Sequence, residues 1–323
     1  MNKKKPIRKT YPIDQCRLYA TKSPTDLAVR LGASVDTLQE LAKDKGNYKI
    51  YLTDKKRKIE EPKPKLQRTH ARLHAFLSRI VTPDYLHSGI KGRSYLSNAQ
   101  AHANGEALIK IDVKKFFPSV PRVAIYNFFF RHMRCAGDVA GLLANILTID
   151  GHLPTGSSAS TIMSYYAFKE MFDEIESLVA QNGLTMTNYV DDLTISGEAA
   201  TRKLQHEIRK IIGRHGLKTH KVKYFAARRP KVVTGVVVVG TQVRLPHRRH
   251  LLIKQSYQNF LAAPTAEEKL YVLKSLISRV HEAAQIDVTW LPKAKELQNI
   301  RRTLFGQQNL PPDMQSTIKE VSL

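Results

Sequence analysis

The feature that most constrains this chain is TMTNYVDDLTISG (185–197), in which apolar and polar residues alternate as in a strand around an adjacent pair of aspartates. Consecutive strand residues point to opposite faces, so Asp191 and Asp192 reach one point only if the backbone turns there. The segment therefore reads as a hairpin. Tight hairpin turns favour Asn-Gly or Asp-Gly because they need positive φ, yet Val190, Asp191 and Asp192 supply no glycine. A second alternating segment, ALIKIDVKKFF (107–117), places Ala107, Ile109, Ile111 and Val113 on one face and Lys110 and Asp112 on the other. Asp112 thus ends a strand on its polar side. Adjacent anions repel unless something positive lies beside them, and hard divalent cations take carboxylate oxygens. A doublet of aspartates at a turn is often only a solvated surface pair, but Asp112 gives it a third member. Together they suit phosphoryl transfer assisted by two metal ions about 3.5 to 4 Å apart.

Charge points the same way. Across 323 residues, 52 Lys and Arg stand against 28 Asp and Glu, a formal charge of +24. That excess is more than solubility requires and favours a polyanionic partner, with nucleic acid first. The length suits two or three subdomains. Cys16 and Cys135 are too few for a disulfide framework or a cysteine-rich zinc site and fit a reducing cytoplasm. The basic start lacks an apolar core like that of a signal peptide, and no apolar run approaches the roughly 18 residues of a membrane span. The expectation is a cytoplasmic protein with no membrane partner.

Along the chain, Ser23-Pro24 and Ser34 mark the starts of two short helices, the second running through about Ala42. YKIYLTDKKRKIEEP (48–62) reads as two strands around a charged turn. Leu66, His70, Leu73, Leu77 and Ile80 recur at helical spacing. Helices are expected over 121–134 and 137–147, and one long helix from Ser157 or Ser158 through Val179, closed by Gly183. After the hairpin, Leu204, Ile208, Ile211 and Ile212 define a helix ending at Gly216. Strands are expected at 218–226, 232–239 and 242–245, with a basic helical region from His247. The fold class is therefore α+β, a sheet packed on one face with the other free to hold charge.

With these motifs in order, the chain resembles bacterial retron-type reverse transcriptases. YVDD (189–192) resembles the family's YxDD box, and IDVKKFFPSV (111–120) its first acidic motif. RKIEEP (57–62) is similar to a fingers motif, which implies that Arg57, with Lys58, contacts the incoming triphosphate. LPTGSSAS (153–160) occupies the place of LPQGAPTSP. It retains Gly156, which the resemblance implies lies in the nucleotide-binding site, while Thr155 replaces the glutamine and both later prolines are absent, which puts the glutamine's role in doubt. HKVKYF (220–225) implies Lys223 as the general acid for pyrophosphate release, although lysines at 218, 221 and 223 compete for the part. Phe117 matches the position that excludes a nucleotide 2'-hydroxyl, beside a nucleotide site including Val113; the alternative is core packing. Two elements narrow the resemblance to retrons: NAQAH (98–102), through Asn98, Ala99 and His102, and VTG, Val233, Thr234 and Gly235.

The resemblance implies a right-hand polymerase with an N-terminal helical extension (1–46), fingers and an antiparallel palm sheet on helices (47–245), and a basic helical thumb (246–323). It implies Asp112, Asp191 and Asp192 as catalytic residues holding two Mg2+ ions, with Mn2+ as a substitute, and dNTPs as substrates. The implied partners are a structured noncoding RNA serving as template and primer, an RNA-linked single-stranded DNA product, and an effector protein encoded nearby in antiphage defence. In the tail, HRRHLLIK, KAKELQ and IRR offer cations to phosphates, while the spacing of Tyr257, Phe260, Tyr271, Trp290 and Phe305 suggests packing more than base stacking. A group II intron-like enzyme is the nearest rival; the stretch after VTG has room for a thumb and little else. A non-catalytic helix-turn-helix protein built on residues 23–42 is a second rival, disfavoured because the acids would repel its ligand.

Overall fold

Ser23 and Ser34 each accept, through the side chain, the amide of the residue three positions on, at 3.1 Å. These N-caps start α1 (Pro24–Leu31) and α2 (Val35–Leu41), whose leucines are buried. Gly32 closes α1 in the left-handed region at φ 61°. The computed structural model describes residues 9–43 and 46–308. The basic opening run through residue 8 and the tail from 309 lie outside the described residues. The chain divides into two compact units, residues 1–228 and 229–323.

In the first unit, β1 (Tyr48–Leu52) and β2 (Lys58–Pro62) form the expected charged hairpin. Next come α3 (Pro64–Leu77) and α4 (Tyr95–Gln100), then β3 (Leu108–Val113) and α5 (Arg122–Asn127). They are followed by α6 (Gly137–Leu147), α7 (Ser160–Ala167), α8 (Lys169–Gln181), β4 (Thr185–Tyr189), β5 (Asp192–Ser196), α9 (Arg202–Arg214) and β6 (Thr219–Phe225). Four of these strands make one antiparallel sheet in the order β4-β5-β3-β6. One face carries Ile109, Ile111, Leu193 and Ile195, which join buried residues of α6 to α9 in a single core. The opposite face carries Lys110, Asp112 and Asp192.

In this unit one local expectation fails and one helix was not expected. The helix expected from Ser157 or Ser158 begins at Ser160 and is broken at Phe168, which leaves helical geometry (φ −121°, ψ 25°). Its buried ring lies 6.1 Å from that of Phe116, so packing overrides local propensity. Helix α4 has no amphipathic period to announce it; a reciprocal cap between Ser94 and Ser97 starts it instead.

The second unit holds β7 (Lys231–Val233), β8 (Val236–Val239), β9 (Gln242–Arg244), α10 (His247–Ala262), α11 (Ala266–Ile286) and α12 (Leu291–Gln308). The single strand expected at 232–239 is a hairpin. Val233 pairs with Val236, and Thr234 and Gly235 between them both have positive φ, 43° and 80°. Positive φ at both turn residues matches the right-handed twist of the flanking strands, which an unbroken valine pattern conceals.

On α3, His70 is fully buried, with Nε2 2.8 Å from the Ile146 carbonyl and Nδ1 2.6 Å from Ser157 Oγ. A carbonyl only accepts, so Nε2 is assigned the proton and Nδ1 accepts from the Ser157 hydroxyl. Burial lowers this imidazole's pKa to about 4. In the unfolded chain it takes up a proton below about pH 6.5, so folding stability is lost as pH falls from that value toward 4. The loss attributable to His70 should reach about 3 kcal/mol. Denaturant unfolding from pH 7 to 4 should show that fall in the wild type and a shallower one in His70→Gln.

Candidate active site

The site starts from a pairing: Asp112 on β3 and Asp192 on β5 are direct cross-strand partners. Cross-strand partners project to the same side of a sheet, so two carboxylates meet on the polar face. Asp191 joins them through the backbone, because the Val113 amide donates to the Asp191 carbonyl at 2.9 Å. Tyr189 pairs with Asp192, leaving Val190 and Asp191 as the hairpin turn. Val190 has φ 59°, a strained conformation for a β-branched residue.

Residues 85–88, to which the sequence reading gave no role, hold that turn. The Asn188 amide donates to the Tyr85 carbonyl at 2.7 Å, and the His87 amide to the Asn188 carbonyl at 2.9 Å. The buried Ser88 hydroxyl then accepts the Val190 amide at 3.0 Å. No sequence periodicity marks this contact.

Lys110 Nζ lies 2.9 Å from Asp192 Oδ2, and Lys221 Nζ 3.8 Å from Asp112 Oδ2. His220 Nδ1 is 2.7 Å from Asp112 Oδ1 but poorly aligned. Asp112 Oδ1 and Asp192 Oδ1 are therefore buried without a hydrogen-bond partner. Burial is the main cause that raises the carboxyl pKa of both Asp112 and Asp191. Neighbouring carboxylates add to it against the pull of His220 at Asp112 and Lys221 at both. Among the described residues, no three His, Cys, Asp or Glu side chains stand in a ready-made metal cluster. The donor chemistry nonetheless fits a hard divalent ion: carboxylate oxygens only, two of them buried without a hydrogen bond, in a group of three carboxylates beside two lysines.

The other expected residues fall in distinct places. Lys223 is exposed and pairs with Lys110 across β6 and β3, whereas Lys221, at a register irregularity with φ 47°, is the lysine that approaches Asp112. The half-buried Phe117 stacks on Phe116 with ring centroids 6.2 Å apart. The Val113 side chain is buried, so its backbone is what it offers the site. Arg57 is exposed at the end of the β1–β2 turn, and Lys58 Nζ is 2.8 Å from the buried carboxylate of Glu60. Gly156 donates its amide to the Glu60 carbonyl, and a Cβ there would lie 2.9 Å from that oxygen and 3.0 Å from Glu61 Cα. Only glycine fits this contact. Thr155 Oγ1 accepts the Glu60 amide and donates to the Lys58 carbonyl, both at 3.1 Å. The departure from the family's glutamine therefore places a side chain that binds LPTG to β2.

In NAQAH, Asn98, Ala99 and His102 are all fully buried. His102 lies 2.7 Å from Ser196 Oγ and 2.8 Å from Thr187 Oγ1, so one ring bridges β5 and β4 behind the acidic turn. The Asn98 side-chain carboxamide has no hydrogen-bond partner among the described residues.

The sequence of residues 41–244 matches the family model described as reverse transcriptase (RNA-dependent DNA polymerase). The chain belongs to the reverse transcriptase family. It is similar to the retron Se72 reverse transcriptase of Salmonella heidelberg (strain 579083-10), 29% identical over 45% of this chain and 38% of that protein. The retron Ec48 and Ec86 reverse transcriptases of Escherichia coli are each 24% identical. The first match covers 69% of this chain and 57% of the relative, the second 75% and 79%. The chain thus spans about two-fifths and under three-fifths of the first two relatives.

In this chain, Ser88→Ala should lower unfolding free energy by about 1 kcal/mol, because the strained turn loses its acceptor. Ser88→Thr should keep most of it. Denaturant titration of the two variants measures the difference.

Proposed function

We propose that this chain is an RNA-directed DNA polymerase whose catalytic carboxylates are Asp112, Asp191 and Asp192. The observation that supports it most is the cross-strand pairing of Asp112 with Asp192, with Asp191 tied to the same strand end by the Val113 amide. Two Mg2+ ions, or Mn2+ in their place, would be held by the three carboxylates and would supply charge to the attacking hydroxyl and to the leaving pyrophosphate. The protein's own part is to present these oxygens together on a rigid sheet. Lys221 approaches this acidic group and Lys223 lies along the same strand, so either lysine can protonate the leaving group. Arg57 presents a guanidinium for the triphosphate. Phe117 offers a ring edge that disfavours a 2'-hydroxyl and selects dNTPs.

The finer reading is retron function: a structured noncoding RNA as template and primer, RNA-linked DNA as product, and antiphage defence with an effector encoded nearby, in the cytoplasm. What supports it is NAQAH and VTG, together with similarity to proteins named retron reverse transcriptases. The proposed regions are an N-terminal extension to residue 46, fingers and palm to 245, and a thumb beyond. No helix among the described residues is long and apolar enough to cross a membrane. Nucleic acid that co-purifies with the protein tests this reading: DNA covalently joined to RNA supports it, and RNA alone counts against it.

Primer extension on an RNA template tests the chemistry. Asp191→Asn should reduce extension to background. Because burial and two carboxylates disfavour charge at this position, the same variant should melt at a higher temperature than wild type in chelator. Retained extension would remove Asp191 from the mechanism. Phe117→Ala should raise incorporation of rNTPs relative to dNTPs by tenfold or more, on the order of 1.4 kcal/mol of lost discrimination; an unchanged ratio assigns Phe117 to packing.

A further inference from the structure

Within the second unit, α10, α11 and α12 line an open pocket of about 350 Å³. Its volume lies within the roughly 300–1,000 Å³ of small-ligand sites. Leu276 and Val280, both fully buried, form part of an aliphatic floor. Tyr257 and Trp290 stand in the walls, and His250, Lys254 and Lys293 complete the polar lining, which contains no acid. The cavity lies beyond residues 41–244, the span of the family match.

The walls are held in place. Asp287 accepts the Thr289 amide at 3.0 Å and the Thr289 hydroxyl at 2.7 Å, fixing the turn that delivers Trp290. The His250 ring is 5.4 Å from the Trp290 ring. Lys293 Nζ lies 4.7 Å from the Tyr257 ring centroid and 2.9 Å from Glu296, so its charge is already engaged. Lys254, exposed at the cavity edge, is placed to meet an external anion.

An aliphatic ligand would not require cations here, and a lone phosphate would not require aromatic walls. A planar base joined to a phosphate uses both. We propose that this pocket takes one unstacked base of a single-stranded nucleic acid, its ring against Tyr257 and Trp290 and its phosphate at Lys254 and His250. The proposal rests on the polymerase reading for the presence of such a strand, but its test needs no polymerisation.

Trp290 is the chain's only tryptophan, so fluorescence of the full chain reports on this pocket. The probes are a single-stranded RNA octamer, the DNA octamer of the same sequence, and versions of each with a central abasic site. Saturable quenching by an intact octamer, at least fivefold weaker when the base is missing, is the expected result. The RNA and DNA arms separate template from product as the source, and quenching by either supports the pocket. Tyr257→Ala should weaken binding by about five- to a hundredfold, the range for loss of a stacked base. Lys254→Glu, at an exposed position that tolerates substitution, should also weaken it and reduce its salt dependence. Equal quenching by intact and abasic strands, or unchanged affinity in Lys254→Glu, overturns the proposal. Failure here with primer extension intact leaves the polymerase reading standing; quenching without extension by the wild type does the reverse.

Discussion

Everything at the acidic site depends on holding like charges together, and the antiparallel register of β3 and β5 does so. Asp112 and Asp192 face one another because hydrogen bonds along the two strands set their alignment, whatever the carboxylates prefer. Strand pairing contributes over its whole length, whereas repulsion acts at one end, so the sheet can keep an arrangement that the side chains oppose. Burial is the main cause that raises the pKa of Asp112 and Asp191, and the neighbouring carboxylates add to it. Lys110 and Lys221 reduce it without removing it. On the proposed function a bound cation would relieve that strain, in the same way that other functional sites trade stability for preorganisation.

Much of this was legible in the sequence for a physical reason. Strand alternation has a period of two and is set by burial, so the faces of ALIKIDV and TMTNYVDDLTIS were readable residue by residue, as were the serine caps of α1 and α2. What escaped were contacts with no period. Ser88 reaches Val190 across about a hundred positions of sequence, and nothing near either residue signals it. Phe168 looks like a helical residue until Phe116 supplies a partner. Thr234 and Gly235 lie in a run of valines whose β propensity conceals a turn, and only tertiary pairing shows where the chain reverses.

The same distinction applies to the motifs. Gly156 was legible as a glycine retained by its motif, and its close contact with the backbone of β2 leaves no room for a Cβ. His102 was legible as part of a signature, and the structure supplies its bond pattern: a buried imidazole with each nitrogen near a hydroxyl, one on each strand of the acidic hairpin. The signature thus supports the shape of the hairpin from within the protein. The lysine nearest Asp112 was the least legible of all, because the register irregularity in β6 shifts which lysine turns toward the carboxylates.

The helical unit completes this contrast. Read singly along α10 to α12, the spacing of Tyr257 and Trp290 suggests packing, and neither is part of an aromatic motif. Phe260 does pack, being buried, while Tyr271 is exposed. Tyr257 and Trp290 differ from both because three helices bring them to the same cavity from distant positions in the chain, with basic side chains around them. Helical periodicity records which way a residue faces on its own helix, not what another helix places opposite it. In such a unit, recognition chemistry arises at the junction of helices, where one-dimensional spacing carries least information.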